Sequence, residues 1–322
     1  MNNNMIWAYY LMLSNHMWDD ENVPPRYWYQ EPKYKDNNNV DFKLWDEMVT
    51  FLKERGYNTI VVDVGDGVKF NTHPEISAPD AVSVEYLKKK LDEMRSLGIT
   101  PIPKLNFSTC HHTWLKEYRY MVGTQKYIEV CTDLISETCQ IFDHPTMFHL
   151  GMDEEDDIGG HRFRSMVTFR REEMLWRDYY RFFDTCEKEG VRPWVWSDYY
   201  WHNKELFIKH MPKSVMQSNW FYYYFKEYPE DQQNAKAIRA FEELNSLGYE
   251  QIPTCSTWAN NDNPDQLIAH CRKYLDPRLC KGFMTASWAR TERDCEYTLK
   301  NDAHRLFIAR KKHYPETIEC KD

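Results

Sequence analysis

The sequence predicts a single α/β domain over residues 1–322, folded as a closed (β/α)8 TIM barrel. Three observations lead there. Apolar runs of strand length and amphipathic runs of helix length alternate eight times along the 322 residues. Several helical runs stop at a glycine and pass almost at once into the next strand. The long connections instead follow the C-terminal ends of the strands. Strands separated by helices pair in parallel through right-handed crossovers, and eight such units close a barrel. An open doubly wound sheet is the competing arrangement, but no glycine-rich nucleotide fingerprint follows the first strand.

The first strand is "MIWAYYLM" (5–12), followed by the helix "FKLWDEMVTFLKERG" (42–56), stopped by Gly56. "TIVVDVG" (59–65) is short and β-branched, and "VEYLKKKLDEMRSLG" (84–98) has helical spacing up to Gly98. "TPIPKLNF" (100–107) is the third strand, and a helix fits 124–142. "MFHLGMD" (147–153) is the fourth, with a helix over 172–189 ending at Gly190. Strands "RPWVWSD" (192–198), "SVMQSNW" (214–220), "EQIPTCSTW" (250–258) and "GFMTASW" (282–288) complete the set, with helices near 203–210, 234–247, 264–275 and 300–313. Loops 13–40, 66–83, 107–122, 154–171 and 221–233 all lie on the strand C-terminal side, where barrels carry their active sites.

The formal net charge is -9 with acid and base interspersed, which excludes the clustered Lys and Arg of a nucleic-acid surface. No basic amphipathic stretch points to a membrane, and the N-terminal "MNNNMIWAYYLMLSNHMW" has neither a basic leader nor a spanning run. Nine cysteines, an odd number without a CxxC pair, fit a reducing compartment. The expected location is cytoplasmic, the alternative being export on a signal outside this sequence. Twelve Trp, 22 Tyr and 16 Phe are an excess suited to stacking on sugar rings.

The fourth strand runs "MFHLGMDEED" (147–156) into four consecutive acids. Strand alternation puts Phe148, Leu150 and Met152 on the helix-facing side, and His149, Gly151 and Asp153 on the side of the barrel mouth. Glu154 lies just past the strand, where a turn swings it inward. A solvated acidic turn is the bland alternative. Glu155 and Asp156 read as loop charge facing water.

"HLGMDE" (149–154) resembles the signature of glycoside hydrolase family 20, the β-N-acetylhexosaminidases. "WSDYYW" (196–201) is similar to the strand-5 segment of one branch of that family, and "SWARTE" (287–292) to its strand-8 Trp followed by Glu. The barrel order matches along the chain, without the family's usual small N-terminal α/β domain. The resemblance implies an exo-acting glycosidase with a terminal hexosamine-type sugar as its partner, no cofactor and no metal. It assigns Glu154 as the acid that protonates the glycosidic oxygen and then activates water. Asp153 would orient the 2-acetamido group, whose oxygen attacks the anomeric carbon in place of an enzymatic nucleophile. A general acid must hold its proton near neutral pH, and an ionised neighbour and an indole-walled pocket both favour that. Substrate-assisted enzymes depart from the ordinary two-carboxylate scheme. Strand 7 ends "STWANND", without a nucleophilic Glu, which agrees.

Trp196, Trp220, Trp258 and Trp288 sit at or near the ends of strands 5 to 8 and could box one sugar; Trp also fills barrel tops as simple core. Asp66 resembles the family's strand-2 carboxylate but reads equally as the turn residue of "GDG". Asp63, inside that strand, reads as structural. Asp198 and Glu292 are candidates for sugar hydroxyls, and Tyr222 and Tyr224 for oxazoline contacts. The family's strand-1 Arg is missing from "WAYYLMLSNHMW", leaving Asn15 or His16 as substitutes. In "PKLNFSTCHH", Lys104 and Asn106 stand where the family has acids, and His111 or His112 replaces its His. The strand-7 Tyr is also missing. These departures bear on the identity of the sugar more than on the reaction. Competing readings are a glycosidase for a non-acetylated sugar, a non-catalytic sugar-binding barrel, and a metal hydrolase using His111, His112, Asp153, Glu154 and His161. The last lacks HExxH or a strand-1 HxH. Oligomeric state is not readable from the sequence.

Overall fold

A computed structural model describes residues 5–15, 37–155 and 170–318. Eight parallel strands form its centre: β1 (Ile6–Met12), β2 (Thr59–Asp63), β3 (Thr100–Lys104), β4 (Met147–His149), β5 (Arg192–Trp196), β6 (Met216–Ser218), β7 (Thr254–Cys255) and β8 (Gly282–Ala286). The hydrogen-bonded order is β6-β5-β4-β3-β2-β1-β8-β7. The remaining seam, β6 to β7, is joined by the bridges Gln217 to Gln251 and Trp220 to Thr254, with Ile252 N–H and Thr254 N–H each 2.9 Å from carbonyls of Gln217 and Asn219. The barrel is thereby closed, as expected.

Helices α1 (Phe42–Glu54), α2 (Val84–Ser96), α3 (Gln125–Ile141), α4 (Glu172–Lys188), α5 (Tyr199–His202), α6 (Lys204–His210), α7 (Gln233–Ser246), α8 (Asn263–Tyr274) and α9 (Glu296–His313) surround it. The first three begin where a side-chain oxygen takes an otherwise unpaired amide: Asp41 accepts from Leu44, Ser83 from Tyr86 and Thr124 from Tyr127. Strand alternation produces two cores. Ala8, Tyr10, Met12, Val61, Ile102, Trp194, Trp196 and Met284 fill the barrel interior, while Tyr9, Leu11, Ile60, Val62, Phe148 and Val195 pack under the helices.

Several strands are shorter than expected, among them β3 and β6, which keep regular pairing only over Thr100–Lys104 and Met216–Ser218. The fourth strand was expected over 147–153 but is regular only to His149. Gly151 and Met152 take φ of 73° and 71° and turn the chain out of the ladder. The seventh was expected over 250–258 but keeps two residues of regular pairing. The last helix starts at Glu296, one turn before 300, and α5 is an additional short helix.

The β1–β8 seam depends on close backbone contact. Gly282 pairs with Ile6, and a Cβ on it would lie 2.0 Å from the Ile6 carbonyl oxygen. Gly282→Ala must therefore push the two strands apart. We expect a loss of about 1–3 kcal/mol or more in urea unfolding; a wild-type midpoint would refute this account of the seam.

Candidate active site

The strand C-terminal ends enclose a cavity of about 440 Å³. Its acidic side is built by the turn after β4. Gly151 sits against β3 so closely that a Cβ would fall 2.0 Å from Asn106 Oδ1 and 2.8 Å from Asn106 Cα. Its φ of 73° belongs to the left-handed region that glycine enters without strain. Asn106 then holds the turn: its Oδ1 accepts from the amides of Ser108 at 3.0 Å and Met152 at 3.4 Å, and its Nδ2 donates to Asp153 Oδ1 at 2.9 Å. Glu154 also has positive φ, 55°. Its amide donates to Asp198 Oδ2 at 2.7 Å, which fixes the turn from the β5 side. Non-glycine residues in this region are strained unless their surroundings over-determine them, and such strain collects at functional sites.

Asp153 and Glu154 both line the cavity, and His111 joins them. Its Nε2 lies 3.2 Å from Asp153 Oδ2 and 3.2 Å from Glu154 Oε2. Burial alone would pull this imidazole down, but the Asp153 carboxylate and the Cys110 thiol outweigh it and hold His111 well above its ordinary value. Burial likewise would raise Asp153, yet His111, Lys104 and Asn106 hold it well below the usual carboxylate range. Asp198 goes the other way. Burial and the neighbouring Asp153 charge push it well above its ordinary value, which suits a positioning group.

The opposite walls are aromatic. Trp220 and Tyr222 stack with centroids 5.0 Å apart and planes at 23°. Trp288 meets Trp196 at 5.9 Å, Tyr222 at 6.1 Å and Tyr10 at 4.9 Å. Trp258 also lines the cavity, edge-on to Tyr223 at 6.4 Å. Of the residues expected at the site, Asp153, Glu154, His111, Trp196, Trp220, Tyr222, Trp258 and Trp288 thus share one cavity.

Other expected residues do not line it. Asp66 is fully buried beneath its loop, where Asn38 Nδ2 and Lys116 Nζ reach it at 3.3 and 3.1 Å; burial pushes its carboxyl up to about 8. His149 lies under the floor against Trp194 and Trp196. Its Nδ1 accepts from the Gly151 amide at 3.0 Å, and burial and Lys104 keep the ring neutral. Asp198 works from behind, holding the Glu154 amide and the Trp220 indole N–H, the latter at 3.1 Å. Glu292 turns to Arg290 at 3.3 Å. Tyr224 is exposed. Asn15 pairs through its amide with Asn38 Oδ1 and is outside the cavity lining, while His16, Asp156 and His161 fall outside the described residues.

Glu155 overturns the expectation of loop charge. It is buried, accepts from Thr109 N and Oγ1 at 2.8 and 3.0 Å, and is ion-paired with the buried Arg170. Arg170 also bonds the Phe107 carbonyl and stands 3.6 Å from Asp178. A carboxylate buried this way clamps the β3 and β4 loops together. The floor also departs from expectation, with Asp63 read as structural, Lys104 only as a replacement for an acid, and Tyr10 not singled out. Tyr10, Asp63 and Lys104 line it, with Lys104 Nζ 2.9 Å from Asp63 Oδ2 and 3.0 Å from the Tyr10 hydroxyl, which itself donates to Asp63. The signal was present in the alternation, since Tyr10 follows the inward Ala8, Asp63 the inward Val61, and Lys104 the inward Ile102.

Two expected outcomes follow from these charges. Arg170→Met leaves Glu155 buried without its cation, while Asp178 keeps Arg177 at 2.8 Å; it should cost about 3–5 kcal/mol in urea unfolding, part of it recovered by adding Glu155→Leu. A loss within measurement error would show that the clamp does not bear on stability. Compared with the unfolded chain, folding raises His111 above 6.5 and lowers Asp153 below 3.8. The stability from this pair is complete between those values. It is lost as pH rises through the elevated imidazole pKa, and as pH falls through the depressed carboxyl pKa. The stability gap between wild type and His111→Asn should therefore be widest near about pH 5 and shrink progressively towards about pH 9. A gap constant over that range would contradict the ion pair.

Neither a protein-family model nor a curated protein matches the chain. Solved structures do match its fold. The chitobiase of Flavobacterium johnsoniae aligns at TM-score 0.58 and 14% identity over 86% of this chain and 49% of its own. A β-N-acetylhexosaminidase from Bacteroides fragilis aligns at 0.58 and 11% identity over 92% and 65%. Dispersin B aligns at 0.59 and 12% identity over 96% and 99%. The chain thus spans about half the length of the first, just under two thirds of the second and nearly all of the third. Its barrel is of the kind seen in the catalytic domains of glycoside hydrolase family 20.

Proposed function

We propose that the chain is a glycoside hydrolase acting on a terminal 2-acetamido sugar by a retaining, substrate-assisted route. The observation that carries this reading is the convergence of Asp153 and Glu154 on a cavity walled by Trp196, Trp220, Tyr222 and Trp288. Indole and phenol faces suit the apolar face of a sugar ring and an acetamido methyl. Glu154, its backbone fixed by Asp198 and its carboxyl beside His111, protonates the departing glycosidic oxygen. Asp153, held as a carboxylate by His111 and Asn106, accepts the acetamido N–H and stabilises the positive charge that develops on that group. The acetamido carbonyl oxygen attacks the anomeric carbon, the aglycone leaves with the Glu154 proton, and a cyclic oxazolinium forms. Glu154 then takes a proton from water as that water opens the ring, which restores the acid and retains the anomeric configuration. Burial holds the Tyr222 phenol well above its ordinary value, so it remains a hydroxyl donor facing the same cavity. Asp63, Lys104 and the Tyr10 hydroxyl are the polar groups on the floor available to ring hydroxyls, in a chain lacking the strand-1 Arg.

The test is a panel of aryl β-glycosides with and without the 2-acetamido group. Turnover should be confined to the acetamido series and be blocked by a thiazoline analogue of the cyclic intermediate. Glu154→Gln should lower kcat by about 100-fold or more with little change in unfolding midpoint. Equal turnover of the 2-hydroxy series would reject anchimeric assistance, and a fully active Glu154→Gln would reject the acid.

A further inference from the structure

Cys110 belongs to no step above, yet its thiol faces the reacting carboxyl. Its Sγ is fully buried, 3.1 Å from Ser108 Oγ and 3.9 Å from Glu154 Oε2. His111 Nε2 is 3.2 Å from the same Oε2. Among the described residues, the donor atoms of Cys110, His111 and Glu154 all lie within 4.8 Å of one another. Adjacent residues seldom present their side chains to one point. Here the tight turn closed by His111 N–H to Ser108 C=O, 3.0 Å, brings the two together.

We propose that Cys110 Sγ, His111 Nε2 and Glu154 Oε2 form a binding site for a borderline-soft divalent cation, Zn²⁺, that switches the catalytic carboxyl off. A thiolate, an imidazole and a carboxylate are the donors zinc takes, whereas magnesium and calcium prefer oxygen alone. Bonds of about 2.0–2.3 Å space tetrahedral donors about 3.3–3.6 Å apart, so the site forms by drawing the sulfur in from its present 3.9 Å to Glu154 Oε2. The Cys110 thiol, the His111 Nε2–H and the Glu154 carboxyl each give up a proton to solvent as the ion binds, and the pairing of His111 with Asp153 and Glu154 is exchanged for the metal. His111 and Glu154 line the cavity, so the ion enters from there and its fourth position faces the substrate space. With Oε2 on the metal, Glu154 has no proton to deliver. This inhibitory consequence rests on the acid role proposed for Glu154; the binding site itself does not.

Cobalt titration of metal-free protein separates the two. Wild type should bind one equivalent of Co²⁺ with a near-ultraviolet thiolate charge-transfer band and the intense visible bands of a tetrahedral ion, both displaced by Zn²⁺. Cys110→Ser, checked for folding by circular dichroism, should lose the charge-transfer band and bind about 100-fold more weakly. Cys131→Ser, a buried thiol elsewhere, should keep it. One equivalent of Zn²⁺ should suppress turnover of the aryl N-acetylhexosaminide, reversibly with chelator, in wild type but not in Cys110→Ser. No band, or a band surviving in Cys110→Ser, overturns the site, and stimulation by Zn²⁺ overturns the switch. A Cys110-dependent band in protein that turns over no hexosaminide upholds the site and rejects the activity instead.

Discussion

The site hangs on the contact between Asn106, just past β3, and Gly151, just past β4. Without a side chain at 151, the two strand ends come close enough for one amide side chain to bind both. Asn106 then makes three hydrogen bonds, accepting from the amides of Ser108 and Met152 and donating to the Asp153 carboxylate. The left-handed turn at Gly151 and Met152 takes the chain out of the sheet two residues before the acids. That early exit points Asp153 and the following Glu154 into the same cavity, although neighbouring residues on a continuing strand would face opposite sides.

Around this turn, each buried charge has a partner chosen by position. Asp153 has His111 and Asn106, Glu155 has Arg170 and Thr109, and Asp63 has Lys104 and Tyr10. Leaving any of these charges unpaired in the interior would be costly. Asp198 is a different case. Crowded by Asp153 and Glu154, it is pushed towards its neutral form while still accepting from the Glu154 amide and the Trp220 indole. One carboxyl group thereby ties the position of Glu154 to that of an aromatic wall. The wall itself is a run of touching rings, from Tyr222 through Trp220 to Trp201 on one side and through Trp288 to Trp196 on the other. Rings packed this way hold one another rigid, so the cavity wall is set before anything enters it.

The four consecutive acids of residues 153–156 show where local reading stops. Charge runs usually face water, which is why Glu155 read as surface. Its partner Arg170 is fifteen residues away along the chain, with α4 beginning two residues later, and nothing local pairs them. Asp66 is the converse. Its place after strand 2 suggested a site residue, but the buried Asn38 and the Lys116 ammonium hold it beneath the loop. Residues inside the barrel fared better in principle than in practice: inward alternation marks Tyr10, Asp63 and Lys104 on three successive strands, yet only their shared register shows that they meet.

By itself the sequence determined the eightfold strand–helix order, the side of the barrel that carries long loops, the inward His149 and outward Phe148, and the placement of Trp196, Trp220, Trp258 and Trp288 at successive strand ends. These follow from periodicity, which is local and needs no knowledge of neighbours. Only the tertiary structure decided that β4 stops at His149, that Glu155 is buried against Arg170, that Asp63 rather than Asp66 reaches the cavity, and that Cys110 abuts Glu154. Each of these depends on which distant groups meet within hydrogen-bonding range, and that is set by register and close packing between segments far apart in the chain.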